Sequence, residues 1–478
     1  MNENHRLLSF EDLTRKASEA PGNGRSAFYY RAHARDYLQV YPSGNAVPVT
    51  EASVRAALVI EGVVPDKKSA DPALYAVRNN AVVHYDGPMP GYSMGVHEEN
   101  GQRYYCTSGP NLMRTQPPED GARFGANWPT VLGLLQRLLV GPDGVEDQLW
   151  TLLAALKGSR MALRDALAPG NAGARRSVRP GQAVALVGPR ACGKTFLFEY
   201  VIAPLLGGRV VDGFKAFSAD AEGFNGELLA GEIWKMDDRE SSTDARVRRQ
   251  FASNLKAYLY SGRVAFHSKY RTPVTLTPFG RLFIMCNDTA ENLRVLPDIT
   301  QDIEDKIHLF RCHAGQAPMP RHTEEERRLY REQIASELPW MAGELEQWSV
   351  PPMYVEDRSG VKTYKDPVLL ATLRRQDPEA MLAELIQSAF ESGALECNPW
   401  RGTAAQLQGL LCRRDASNSR QACELLSWPR AAGTYLGRIV EKGWFFEVEF
   451  GLRTRRKGQN RGVEWYEILQ VETQPALI

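Results

Sequence analysis

Five apolar residues, Ala183-Val184-Ala185-Leu186-Val187, run directly into Gly188-Pro189-Arg190-Ala191-Cys192-Gly193-Lys194-Thr195, and Phe196 to Val201 continue with helical character. An unbroken apolar, β-branched run reads as a strand covered on both faces, as in a parallel sheet flanked by helices. A GxxxxGK[ST] turn between such a strand and a helix is a phosphate cradle. Its glycines let backbone N–H groups curl around anionic oxygens, and the helix N-terminus adds its dipole. Residues 188–196 are therefore expected to hold a nucleoside triphosphate, ATP in the first instance. Lys194 reaches the β and γ oxygens, and the Thr195 hydroxyl binds Mg²⁺. The eight-residue pattern alone occurs by chance; the flanking strand and helix identify it.

Such a loop needs an acidic strand end beside it. Glu232-Ile233-Trp234-Lys235-Met236 leads into Asp237-Asp238, although Lys235 interrupts the apolar run. Asp237 is expected to anchor the Mg²⁺ water shell and Asp238 to polarise the lytic water, with Glu240 as the rival for the second role. A further strand, Arg281 to Cys286, ends in Asn287, a polar tip suited to sensing a γ-phosphate and orienting water.

The 478 residues exceed one compact core, and the reading gives four segments: an α+β N-terminal domain over 1–168, an ATPase core over 169–313, a linker and charged helix over 314–365, and a C-terminal domain over 366–478. In the first, Ala76-Val77 and Ala81 to Tyr85 read as short strands, Gly87 to Gly91 as a turn. Helices follow from Pro129 and over Val145 to Leu156. Thr323-Glu-Glu-Glu326 is a capping box opening a helix through Trp348.

No apolar stretch approaches the roughly 20 residues that span a bilayer, and Met1 to Glu11 is polar, so a cytoplasmic location is expected. The seven cysteines contain no CxxC pair and read as free thiols rather than zinc ligands. A net charge of +1 excludes a uniformly basic DNA-coating protein but leaves room for local basic patches.

One such patch is near the C-terminus. Thr403-Ala-Ala-Gln406 is a second capping box, a helix follows over Ala431 to Lys442, and Trp444 to Val448 and Val463 to Ile468 read as strands. Helix, helix, strand, basic turn, strand is a winged-helix order. The turn from Gly451 to Gly462 carries Arg453, Arg455, Arg456, Lys457 and Arg461 with no acid, which suits salt-sensitive contacts to phosphates or a protein surface.

The succession of Gly188–Thr195, Asp237-Asp238, Lys269 and Asn287 resembles the superfamily III helicases of viruses, phages and plasmids. That resemblance implies an AAA+-like three-layer α/β core and a ring, a hexamer in that superfamily. It also implies that Ser261 to Lys269 is a hairpin whose basic residue grips single-stranded DNA, here Lys269 with His267 beside it. The C-terminal helicase portions of phage and prophage primase–helicases are similar in more detail. They share Gly207-Gly208-Arg209, Phe224-Asn225, Asp237-Asp238-x-Glu240, Arg281-Leu282, Asn287-Asp288, Leu296-Pro297, Asp305-Lys306-Ile307 and Gly91 to His97. Where the superfamily places an arginine before the last core strand, this chain has Lys306. Arg294, Arg311 and Lys306 are the candidates for a cation reaching a neighbour's γ-phosphate, with Lys306 and Arg311 preferred. The implied activity is ATP-dependent unwinding or translocation on single-stranded and forked DNA in replication of a mobile element, beside a separate primase or polymerase. The alternative is a nucleotide-switched DNA-binding or assembly ATPase, such as a defence or interference factor, that does not unwind.

Overall fold

The computed structural model describes residues 25–99, 101–168, 181–217, 224–237, 245–269, 273–289, 291–297, 299, 302–375, 377–414, 416, 418–460 and 463–471. By internal contacts the chain divides into two compact units, Met1–Asp366 and Pro367–Ile478.

The first unit opens with β1 (Ala27–Arg31), β2 (Asp36–Val40) and β3 (Ala46–Val49) as an antiparallel meander. Two helices follow, α1 (Glu51–Ile60) and α2 (Ala70–Asn80). Thr50 starts α1 by accepting a hydrogen bond from the Ser53 N–H at 3.2 Å. Ala76 and Val77, expected in a strand, lie within α2, which buries them together with Ala70, Ala73 and Leu74. That spacing fits a helix face packed on a sheet. The strands β4 (Val82–Gly87), β5 (Gly95–Glu99) and β6 (Gln102–Cys106) complete a mixed sheet ordered β3-β2-β1-β4-β6-β5.

Two long helices come next. Pro129 occupies the first turn of α3 (Pro129–Leu139), where its missing N–H costs nothing. α4 (Asp147–Leu167) continues eleven residues past its expected end at Leu156. Beyond Gly158 it is held by tertiary contacts: Arg160 donates to the carbonyls of Leu205 at 2.8 Å and Met113 at 3.0 Å and pairs with Glu346 at 2.9 Å.

The second sheet consists of β7 (Ala183–Val187), β8 (Val210–Asp212), β9 (Ile233–Met236), β12 (Arg281–Cys286) and β13 (Ile307–Arg311), ordered β13-β7-β12-β9-β8 with every pair parallel. After β7 comes α5 (Lys194–Leu197), which runs on through a π turn (Phe198–Ile202) to Leu205. α6 (Ala245–Tyr260) follows β9, and β10 (Val264–Phe266) with β11 (Val274–Leu276) form a separate antiparallel pair. α7 (Glu324–Gln347) starts at the expected capping box: the Glu326 N–H donates to Thr323 Oγ1 at 3.1 Å and the Glu326 carboxylate accepts from the Thr323 N–H at 3.0 Å. One apolar core joins Val131, Leu135 and Leu138 of α3, Leu152 and Leu156 of α4, Val184 and Leu186 of β7, and Ile334 and Leu338 of α7. Among the described residues no helix is long and apolar enough to cross a membrane.

His308 sits fully buried in β13. Its Nδ1 accepts from the Tyr364 N–H at 3.2 Å, so Nε2 carries the proton and faces Gln182 Oε1 at 3.0 Å. Burial, with the charge of Lys365, pulls its pKa down to about 3. The unfolded chain therefore binds a proton between its ordinary value near 6.5 and 3 that the folded chain refuses. Stability is fully present above 6.5 and is lost as the pH falls through that window, by up to about 1.4 kcal/mol per unit. Urea midpoints measured at pH 7 and pH 5 should fall more for the native chain than for His308→Gln. Equal falls would show that His308 is not the group responsible.

The second unit contains α8 (Pro367–Arg375), α9 (Pro378–Glu391), α10 (Ala404–Leu411), α11 (Ser419–Leu425), α12 (Ala431–Glu441) and α13 (Gly443–Phe450). These pack with an antiparallel sheet of β14 (Trp400–Thr403), β15 (Leu452–Asn460) and β16 (Val463–Gln470), ordered β14-β16-β15. The Thr403–Gln406 capping box is present. Two expectations are corrected. The Trp444 to Val448 segment belongs to α13, where Phe446 and Phe450, four residues apart, stack at 5.5 Å in the core. The basic residues 453–457 lie on β15 and not in a turn.

Candidate functional site

The strand order places three loops at one sheet edge. β12 lies between β7 and β9, pairing Cys286 with Val187 and Ile284 with Met236, so the residues that follow all three strands open on the same side. Gly188 leaves β7 where a Cβ would lie 2.2 Å from the backbone oxygen of Cys312, a fit that only glycine allows. Ala191 (φ 61°) and Gly193 (φ 115°) then take left-handed conformations that curl the loop. At Ala191 that conformation costs on the order of 1 kcal/mol, local strain of a kind concentrated at ligand-binding loops.

Lys194, only 7% exposed, folds across its own loop. Its ammonium donates to the carbonyls of Gly188 at 2.7 Å and Pro189 at 2.9 Å and reaches Asn287 Oδ1 at 3.4 Å. The Lys194–Asn287 contact brings together the tips of β7 and β12. Arg190, Lys194, Thr195, Phe196, Asp237 and Asn287 line an open cleft of about 340 Å³, at the low end of the range of ligand pockets, roughly 300–1,000 Å³. Cys192 is buried behind the loop. Phe196 stacks on Tyr330 of α7 at 5.0 Å, fixing the first turn of α5.

Asp237 does not stand alone. Lys235 Nζ pairs with it at 2.8 Å and with Glu199 at 3.4 Å. Burial works against the ammonium, but the hydrogen bond and charge of Asp237, with Glu199, outweigh it and hold the Lys235 pKa above its ordinary value. In the sequence Lys235 stands out only as an interruption of the strand. The available signal was its spacing: Lys235 stands two residues before Asp237, and Glu199 four after Thr195. Asp238 and Glu240 lie outside the described residues.

Lys306 and Arg311 sit at opposite ends of β13. Arg311 pairs with Val187 in register, at the edge that carries the cradle, and is half-buried. Lys306 precedes Ile307, which pairs with Ala183 at the far edge. Its ammonium pairs with Asp305 and lies 5.0 Å from the centre of the Tyr260 ring, and the residue is 6% exposed. Its charge is engaged within its own chain. Arg294 is half-buried in the 3₁₀ turn Asn292–Val295.

His267 and Lys269 follow β10, the first arm of the β10–β11 pair. The backbone of His267 is clamped by Asn225: the His267 N–H donates to Asn225 Oδ1 at 2.7 Å, and the N–H groups of Asn225 and Gly226 donate to the His267 carbonyl at 3.1 and 3.0 Å. The Phe224 ring lies 5.1 Å from the imidazole. Phe224-Asn225 thus serves as the base of this hairpin, and Lys269 is exposed beyond it.

In the second unit the basic strand meets acids that lie outside the 451–462 window. Arg456 pairs with Glu464 at 3.2 Å, Lys457 with Glu467 at 2.7 Å, and Arg453 with Glu447. Arg455 is exposed, and Arg461 lies outside the described residues. Much of the positive charge counted along the sequence is therefore balanced by cross-strand and helical carboxylates.

A family model described only as a family of unknown function (DUF5906) matches residues 186–302, from the end of β7 through the hairpin and β12 to beyond Asn287. No curated protein matches the chain. Among solved structures, the chain is similar to the apo NrS-1 C-terminal region at 16% identity and a TM-score of 0.47, covering 98% of this chain and 100% of that one. A JCV helicase solved with a small molecule bound aligns at 15% identity and a TM-score of 0.23, over 57% of this chain and 72% of that one. At these scores the likenesses carry no weight for function, which rests on the cleft.

Proposed function

We propose that the chain is an ATP-dependent DNA helicase or translocase, working as a homo-oligomeric ring of the hexameric kind in replication of a phage, prophage or other mobile element. One observation carries the reading: Lys194, Thr195, Asp237 and Asn287, from three strand ends, converge on one cleft behind a curled glycine loop. A hydroxyl and a carboxylate facing one cleft suit Mg²⁺, a hard ion that takes oxygen donors. Thr195 and Asp237 would hold it, and it would neutralise charge on the phosphates. Lys194 would exchange its loop carbonyls for phosphate oxygens, and Asn287, in contact with Lys194, would sense the last phosphate. Asp238, or Glu240, orients the attacking water, and Arg311 is the stronger remaining candidate for acting on a neighbour's nucleotide. Lys269 and His267 of the hairpin would contact single-stranded DNA. The second unit would serve as a winged helix that adds phosphate contacts through Arg453, Arg455, Arg456, Lys457 and Arg461. A host or phage-infected bacterial cytoplasm and a separate primase or polymerase complete the setting.

A specific observation supports a second reading, a nucleotide-switched DNA-binding or assembly ATPase: the engagement of Lys306 inside its own chain removes one candidate for hydrolysis between subunits. Strand displacement from a forked duplex separates the two, because a switch binds the fork and releases no strand. On the helicase reading, Lys269→Ala retains ATP hydrolysis within about twofold and loses unwinding by about tenfold or more, as removal of a DNA-gripping charge should. Unwinding by Lys269→Ala at the native rate would remove the hairpin from the mechanism.

A further inference from the structure

Lys235 is an ionisable side chain in a strand whose other members, Ile233, Trp234 and Met236, are buried. Its Nζ lies between two carboxylates, Asp237 at 2.8 Å and Glu199 at 3.4 Å, and 5.6 Å from the centre of the Phe198 ring. Glu199 follows Thr195 by four residues along the cradle helix, about one turn, or roughly 5 Å. The ammonium is thus bonded to the carboxylate expected to anchor the divalent ion's water and to a second carboxylate one helical turn after the residue whose hydroxyl is expected to meet that ion. Its side chain is 19% exposed while those of Asp237 and Glu199 are 44% and 50% exposed, so solvent partly screens both pairs.

We propose that Lys235 is a positioning residue that competes with Mg²⁺ for Asp237 and so sets the free Mg²⁺ concentration at which the cleft binds nucleotide. The proposal rests on the nucleotide-binding reading above. With Mg²⁺ absent, Lys235 supplies the positive charge that keeps Asp237 oriented. Were Thr195 and Asp237 to hold Mg²⁺, the ammonium would have to share that carboxylate with a second cation or yield it. Glu199 provides the alternative partner to which the ammonium retreats. Two opposite consequences follow. Without the lysine, Asp237 is wholly available and Mg²⁺ binds at lower concentration. Without the Glu199 charge, the lysine leans entirely on Asp237, and more Mg²⁺ is needed.

The test is a Mg²⁺ titration of the binding of a fluorescent ATP analogue to the full chain, read by fluorescence rather than by turnover. Lys235→Met, which keeps the apolar stem, should lower the Mg²⁺ midpoint about fivefold, and Glu199→Gln should raise it about two- to threefold, the size expected for one partly screened ion pair. Lys235→Arg should stay within about twofold of the native midpoint, because it keeps the charge. A lysine that merely ties β9 to the cradle helix would give variants of lower melting temperature with the native midpoint, and that result overturns the proposal. So does a shift of Glu199→Gln in the same direction as Lys235→Met. If the native chain shows no Mg²⁺-dependent binding of the analogue, and Lys194→Ala behaves identically, the nucleotide reading itself has failed and the proposal falls with it.

Discussion

Lys194→Ala is expected to lower ATP hydrolysis by about 10³-fold, the upper range for removing one preorganised donor from a site where charge develops. The Lys194 ammonium is held inside the cradle by the Gly188 and Pro189 carbonyls and touches Asn287, so its position is fixed before any phosphate arrives. Gly188 is buried and Pro189 half-buried, so the variant leaves two carbonyls short of a donor, and the loss of stability should be about 1–3 kcal/mol. The loss of activity and the retention of the fold are therefore separable. Phosphate release with and without single-stranded DNA measures the first, and thermal melting the second. If the second unit binds DNA as proposed, that binding should persist in the variant. Hydrolysis within tenfold of the native rate would mean that Lys194 does not meet the reacting phosphates, and the cleft would lose its assigned chemistry.

The parts of this molecule legible in its sequence are those whose physics is local. The glycine loop is contiguous, and the strand before it is buried on both faces as its apolar run implies. Both capping boxes close as written, because each is a reciprocal exchange between residues three apart. Asp237 and Asn287 were readable as strand ends, but not their meeting with Lys194 in one cleft, which depends on β12 lying between β7 and β9. Illegible features were decided by distant partners. Phe446 and Phe450 have strand propensity, yet pairing four residues apart against a core selects a helix. The end of α4 depends on Arg160 finding Glu346, 186 residues away. The basic strand looked unopposed because its acids, Glu464 and Glu467, arrive only through the register of β16.

Arg209→Met should destabilise the first unit by about 3–5 kcal/mol, the cost of stranding a buried charge. Arg209, the last residue of the Gly207-Gly208-Arg209 motif, forms a two-point pair with Glu232, one contact at 2.9 Å, and also donates to the Met89 carbonyl at 2.9 Å. Glu232, 3% exposed, additionally accepts from the Gly91 N–H at 2.8 Å. The pair thus fastens the 89–91 segment, which follows β4, to the start of β9. Removing the guanidinium leaves the carboxylate with the Gly91 N–H alone in a dry setting, and protonation or local opening must relieve it. Glu232→Leu in addition to Arg209→Met should restore about half of the loss or more, because the uncompensated charge, not the missing attraction, is the expensive part. Urea unfolding of the native chain, both single variants and the double variant measures this directly. Because Asp237 stands at the other end of the same strand, the single variant should also weaken nucleotide binding, whereas the double variant should recover it. A double variant no more stable than Arg209→Met would instead locate the stability in the directional bonds to Met89 and Gly91, and the pair would be a hinge fastening rather than a neutralised buried charge.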